Sequence, residues 1–280
     1  MSSRRFERIV LGLPQGAGAR PAVEAAANLA EFLRIELIGA FVADARLQAL
    51  TGLPGRELRM LDLQWQPIDF ERMSRELEHA AAIARARFAE IAGGRAIKTS
   101  FDVISGVHVM GSLIRAHDIV AIVEPARPGE SITQQFSGLL DAASQAAAAV
   151  LVVPKRILCT SGPVLAVAES REHTSLRVAL EIAAALKERL FIATGSSSLL
   201  PPEILAEAGE LGVRVDQIAA GGAEAGALVG LAPARLKERL RVISRSRLPS
   251  DLNRLFAGLH GVPLLVVEPD RLDLPAMPEE

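Results

Sequence analysis

The sequence predicts an α/β protein of doubly wound parallel sheets, and three observations predict it. Short apolar runs suited to strands buried on both faces alternate with amphipathic helical segments. Strands so separated need crossover connections, and crossovers cover both faces of a parallel sheet with helices. The alternation also occurs twice. NLAEFLRIELIGA at 28–40 aligns with EIAAALKERLFIA at 181–193, so that Leu29 meets Ile182, Ala30 meets Ala183, Leu33 meets Leu186 and Leu37 meets Leu190, at a constant offset of 153. Finally, half of the 280 residues are apolar, yet there are only nine Phe, one Trp and no Tyr, so the cores must be aliphatic and their helices closely packed.

The elements of the first copy follow in order. RIVLGLP at 8–14 is a strand, 20–34 a helix and IELIGAFV at 35–42 a strand. The stretch 43–70 holds Gly52, Pro54, Gly55, Pro67 and the single Trp65, and reads as a long excursion with one short helix. In 70–91, Met73, Leu77, Ala80, Ala84, Phe88 and Ile91 recur at spacings of three and four, a core-facing helical stripe, with Gly93 and Gly94 as its left-handed stop. AIKTSFDVI at 96–104, a helix near 107–116 and DIVAIV at 118–123 come next, then a further helix and the strand AVLVVPKR at 149–156. The second copy opens with PVLAVAE at 163–169 and ends with PLLVVEP at 263–269; its closing offset is 114, so it is a trimmed version. The turn-rich RILCTSGP at 156–163 is the join. The expected domains are 1–156 and 162–270, with a loose tail over 271–280.

Charge and cysteine usage exclude several classes. Thirty-one basic against 33 acidic residues leave a net charge of -2, which offers no footprint for nucleic acid or a membrane surface. The lone Cys159 excludes an intrachain disulfide and four-Cys zinc sites, and suits a reducing compartment. The N-terminus runs into a strand without a signal-peptide core, and no run reaches the ~18 apolar residues of a membrane span. The expectation is a cytoplasmic protein.

Doubly wound sheets bind ligands beyond the carboxyl ends of their strands. In the first such loop, PQGAGARP, Gly16 and Gly18 would let backbone N–H groups approach an anion at a helix N-terminus, with Arg20 beside them. The pattern lacks the third Gly of a dinucleotide fingerprint and the Lys of a P-loop, so a turn with Pro21 opening the helix is the plainer reading. GVHVMGS at 106–112 echoes a P-loop but reads as a helix start. His108, His117 and Asp118 lack a third ligand and point to no metal. Glu172, His173, Thr174 and Ser175 make no triad; Thr174 or Ser175 suits a helix N-cap. In the second copy Arg245, Ser246, Arg247 and Ser250 form a basic turn able to meet an anion at the start of the Asp251 helix, although a solvated turn capped by Ser250 accounts for the same residues.

The ordered βα units, GVHVMGSLIRAHDIVAIV at 106–123 and the terminal VLVVP strand together resemble the universal stress protein family. Gly106, Leu113, Ile114 and the strand Asp118–Val123 match its pattern, and VLAVAESREHTSLRVALEIA at 164–183 looks like its opening strand and helix, with Glu169 and Ser170 where an Asp and small residues usually stand. The likeness covers most of 8–269. It implies two Rossmann-like domains of the adenine nucleotide alpha hydrolase type, the second shortened, whose last strands, 150–153 and 264–267, pair within one chain; it further allows a homodimer and an unidentified protein partner.

ATP-binding members carry a loop G-2x-G-9x-G-[S/T] and an Asp ending the first strand. Here the glycine positions fall on Val123, Ala126 and Phe136, only Ser137 agrees, and Pro14 or Gln15 stands for the Asp. Losing two or three charge-assisted hydrogen bonds costs at least ~3 kcal/mol, about a hundredfold in affinity. The resemblance therefore implies a non-enzymatic stress-response or protein-interaction module with no tightly bound cofactor. Its alternative is a regulator reading ATP, ADP or AMP through the first loop with Arg127, Gly129, Ser131 and Ser137; a nucleotide hydrolase ranks third, for want of any nucleophile or metal cluster.

Overall fold

A computed structural model describes residues 6–13, 20–43, 56–59, 64–67, 69–105, 107–124, 134–167, 173–194, 200–219, 236–247 and 261–268. In the first half, β1 (Arg8–Leu13), β2 (Glu36–Ala43), β5 (Thr99–Ser105), β6 (Asp118–Val123) and β7 (Ala149–Val153) alternate with helices α1 (Arg20–Leu33), α2 (Phe70–Ala92), α3 (Val107–Leu113) and α4 (Gln134–Ala146). Strands β3 (Arg56–Arg59) and β4 (Gln64–Pro67) form a separate antiparallel pair within the excursion. The second half contains β8 (Val164–Val167), α5 (His173–Leu186), β9 (Leu190–Thr194), α6 (Pro202–Leu211), β10 (Val215–Ala219), β11 (Leu240–Ser244) and β12 (Leu264–Val267).

Ten of these strands make one sheet, ordered β10-β9-β8-β11-β12-β7-β6-β1-β2-β5. Numbered within its own half, each set of five runs 3-2-1-4-5. Pairing is parallel throughout except at the centre, where β12 lies antiparallel to β7 with Leu265 opposite Leu151. Strands β6, β7, β8, β11 and β12 are buried at every position; β7, β8 and β12 are wholly apolar, as strands covered on both faces tend to be, while β6 and β11 also bury Asp118, Arg241 and Ser244. One core cluster draws Ala26 and Ala30 of α1 together with Ala179 and Ala183 of α5 and with Leu151 and Leu265, so it is continuous across the seam. Small residues on the facing helices let them approach the sheet closely.

Helix α2 shows where a local expectation gave way. Gly93 is right-handed, φ -68 and ψ -18, rather than a left-handed stop. Arg95 removes the need for one, because its N–H donates to the Ala92 carbonyl at 3.2 Å and its Nε to the Ile91 carbonyl at 3.4 Å. Asp69 caps the other end by accepting from the Arg72 N–H. Gly39 in β2 is required by packing: a Cβ there would stand 2.9 Å from both the Phe88 and Phe101 rings, whose centroids are 5.6 Å apart. Within the excursion the described elements are the β3–β4 pair; residues 44–55, 60–63 and 68 lie outside the described residues.

Candidate functional site

Because β7 and β12 are antiparallel, the carboxyl ends of the strands in the two halves lie on opposite edges of the sheet. Each half therefore has its own candidate edge.

In the first half that edge is formed by the ends of β1, β2 and β6. Val123, the last residue of β6, is 9% exposed, and Glu124 follows it directly. The Glu124 N–H donates to the Val153 carbonyl at 2.8 Å, which fixes the backbone at this point. Burial pushes the Glu124 carboxyl above the ordinary carboxylate range, against a weaker opposing pull from Lys155. Arg20 opens α1 as a solvent-exposed residue, its Nε donating to Glu24 Oε1 at 2.9 Å. Ser137 falls inside α4, as does Phe136. Pro14, Gln15, Gly16, Gly18, Ala126, Arg127, Gly129 and Ser131 lie outside the described residues. The structure thus places Arg20 on the helix that follows β1 and Ser137 on the helix that follows β6, and Arg20 is engaged by a carboxylate of its own helix.

In the second half, Arg245 and Ser246 continue directly from β11 in a short 3-10 turn, Arg245–Arg247. Arg245 reaches across the seam: its Nη1 donates to the Ser144 carbonyl at the end of α4 and pairs with Glu268 Oε2 at 3.2 Å. Ser246 Oγ shares a hydrogen bond of 3.0 Å with Ser244 Oγ. Ser250 lies outside the described residues. The basic turn is therefore partly an interface between the halves. Two buried hydroxyls that the sequence did not single out, Thr194 at the end of β9 and Ser244 at the end of β11, complete this edge; Gln217 Nε2 donates to Thr194 Oγ1 at 3.1 Å. Hydroxyls ending two apolar strands of the same unit, β9 and β11 on either side of β8, are the signal that could have found them.

The remaining candidates fall into structural roles. GVHVMGS is helical as expected, over Val107–Leu113. Asp118 is fully buried and is held by Arg8, whose Nε donates to Oδ1 at 2.9 Å, while the Arg115 N–H donates to Oδ2 at 2.8 Å. Arg8 also donates to the Leu113 carbonyl at 3.0 Å. This pair locks β1 to β6 at the edge opposite the candidate site. Thr174 and Ser175 stand inside the first turn of α5, which begins at His173, rather than at its cap; Ser175 is buried. Among the described residues, no group of three His, Cys, Asp or Glu side chains could hold a metal, and no helix is long and apolar enough to cross a membrane.

Solved structures share this arrangement over nearly its full length. A universal stress protein from Archaeoglobus fulgidus DSM 4304 superposes with a TM-score of 0.63 at 14% identity, covering 93% of this chain and 96% of that one. The chain has the universal stress protein fold. The cytoplasmic domain of a prokaryotic cation chloride cotransporter shares it at a TM-score of 0.54 and 11% identity, covering 96% and 97% of the two chains. A functionally unknown protein from Pseudomonas aeruginosa PAO1 does so at 0.50 and 15%, covering 95% and 94%. No protein-family profile matches the sequence, and no curated protein matches it.

Proposed function

We propose that the chain is a tandem pair of universal-stress-type units, 1–156 and 162–270, that works in the cytoplasm as a non-enzymatic stress-response or protein-interaction module and binds adenine nucleotides weakly or not at all. The observation that carries this reading is the end of β6. Where the ATP motif begins with a glycine, Val123 is buried in the strand, and the next residue is a half-buried carboxylate already destabilised by burial. A triphosphate brought to that edge would face like charge in a partly desolvated setting, with no glycine to let the backbone close on it. Of the described cations near this edge, Arg20 is paired with Glu24, and Lys155 is already drawn to Glu124.

A non-catalytic role accords with the use of the same fold as the cytoplasmic domain of a transporter. The test is calorimetric titration with ATP, ADP and AMP, alongside a phosphate-release assay. Dissociation constants weaker than about 100 μM and no phosphate release above the protein-free control are expected. Low-micromolar binding would overturn the degenerate-site reading, and turnover the non-enzymatic one.

A further inference from the structure

A cleft of about 260 Å³ opens between α1 and the connection from β7 to β8, on the face of the sheet away from α3 and α4. Its floor and walls are aliphatic, from Ala25 and Leu29 of α1, Leu151 of β7, Ile157, Leu186 and Leu240. Its polar lining holds three cations, Lys155, Arg156 and Arg239, beside the neutral Asn28 and Thr160. The one carboxylate in the lining, Glu24, is already paired with Arg20. Among the described residues Lys155, Arg156 and Arg239 form no close salt bridge, so three cations stand around an apolar hollow, with Lys155 drawn to Glu124 and Arg239 to Glu188 only at longer range.

Arg239 is the most constrained of the three. Its guanidinium lies over the Phe32 ring, 5.0 Å from the centroid, a cation–π contact that restrains the side chain. Burial lowers its pKa against the opposing pull of Glu188, so the charge is held there at a desolvation cost. The strand registers make Arg239 the counterpart of Asp118, since each precedes the first paired core residue of the fourth strand of its half. In the first half that position carries a charge satisfied by Arg8. In the second it carries a cation facing a cleft. The seam is therefore asymmetric in charge where its backbone is symmetric.

We propose that this cleft binds a small aliphatic anion, with the chain along Leu29, Leu151 and Leu240 and the anionic head held by Arg239 and Lys155. The volume equals roughly nine water-sized units, which suits a chain of eight to ten carbons. The lining contains neither an aromatic ring to stack a base nor a glycine to cradle phosphates, which sets this ligand apart from a nucleotide. The chemistry is that of a medium-chain carboxylate or alkyl monophosphate, an apolar body with a few placed polar contacts.

The experiment is calorimetric titration of the full chain with decanoate, decyl phosphate and decanol. Alkylation of Cys159, which lines the same cleft, is followed in parallel by mass spectrometry. Both anions are expected to bind at micromolar concentration and slow Cys159 alkylation, with decanol weaker by about tenfold or more, the loss of one charge-assisted contact. Arg239→Gln should weaken both anions by about tenfold, and Ala25→Trp, which fills the hollow and leaves the cations, should abolish binding. Should Arg239→Gln fail to fold, the double variant Lys155→Gln and Arg156→Gln tests the same charge. Equal affinity for decanol and decanoate, charge variants that bind unchanged, or no anion binding at about 1 mM would each overturn the proposal. Of the two anions, the tighter identifies the carboxylate or the phosphate as the head group. The cleft adjoins the end of β6 through Lys155, which also acts on Glu124, so the nucleotide titration is repeated with decanoate bound: unchanged nucleotide behaviour keeps the two readings separate, and competition between nucleotide and decanoate would overturn the aliphatic-anion assignment.

Discussion

Arg34 and Lys187 hold the same left-handed backbone, φ 55° in each, one residue beyond α1 and α5 respectively. The bonds around them repeat as well. The Arg34 and Lys187 N–H groups donate to Glu31 and Ala184, and the next N–H groups, of Ile35 and Glu188, donate to Ala30 and Ala183. Both helices thus end in a left-handed closure of the kind that glycine usually supplies, here built on long side chains. A left-handed L-residue carries a strain of roughly 1–2 kcal/mol. Lys187→Gly should relieve it and raise stability by about 0.5–1 kcal/mol, since glycine's larger unfolded-state entropy offsets part of the gain. Lys187→Ala keeps the Cβ and should not. Urea unfolding midpoints of the two variants check this; a destabilised glycine variant would contradict the account.

The Arg8–Asp118 pair predicts a large loss from a single substitution. Asp118 has 0% side-chain exposure and Arg8 11%. Removing the arginine as Arg8→Met strands a buried carboxylate, at a cost of about 3–5 kcal/mol. Changing Asp118→Asn in the same chain removes the stranded charge and should recover part of the loss. Denaturant unfolding of wild type, both singles and the double gives the coupling. If the double variant is as unstable as the sum of the singles, the two groups do not act as a pair.

What the sequence made legible is what repeats. The runs Val150–Val153 and Leu264–Val267 advertise burial on both faces, and each lies in a central strand. The match between 28–40 and 181–193 reappears as two helix–strand units with the same closure. Contacts between distant positions left no such trace. Arg8 and Asp118 stand 110 residues apart, and nothing periodic links them. Arg95 displaced the expected glycine stop because its side chain reached the Ile91 carbonyl and its backbone N–H the Ala92 carbonyl. At the candidate edge, the side chains of Val123 and its successors were readable one by one, but the half-buried state of Glu124 depends on β7 lying beside β6, which is a property of the sheet.

The seam itself makes a cooperative prediction. Leu151 and Leu265 face each other across β7 and β12, at 1% and 0% exposure, within a core cluster that contains residues of both halves. Leu265→Ala should cost about 2–5 kcal/mol, the usual range for a buried leucine left as a cavity. Because the cluster is continuous, calorimetry should show one endotherm that moves as a whole. Two endotherms, only one of them shifted, would mean that the halves unfold separately.

Glu124 predicts a pH dependence of definite sign. Its carboxyl is raised in the folded chain by burial, with Lys155 only partly opposing, so the native state favours the protonated form more than the unfolded chain does. That preference contributes stability below the ordinary glutamate pKa of about 4.3, and the contribution disappears as pH rises through the raised folded value. At neutral pH the ionised group is therefore a cost to the fold. Glu124→Gln removes that cost while keeping the shape, so the variant should melt above wild type at pH 7–8. The difference should shrink as pH falls through and below the ordinary glutamate value of about 4.3, as the wild-type side chain becomes neutral like that of the variant. Melting curves of the two proteins across this range check the sign. A variant less stable than wild type at pH 7 would show instead that the attraction of Lys155 outweighs burial, and would remove the electrostatic argument against a phosphate at the end of β6.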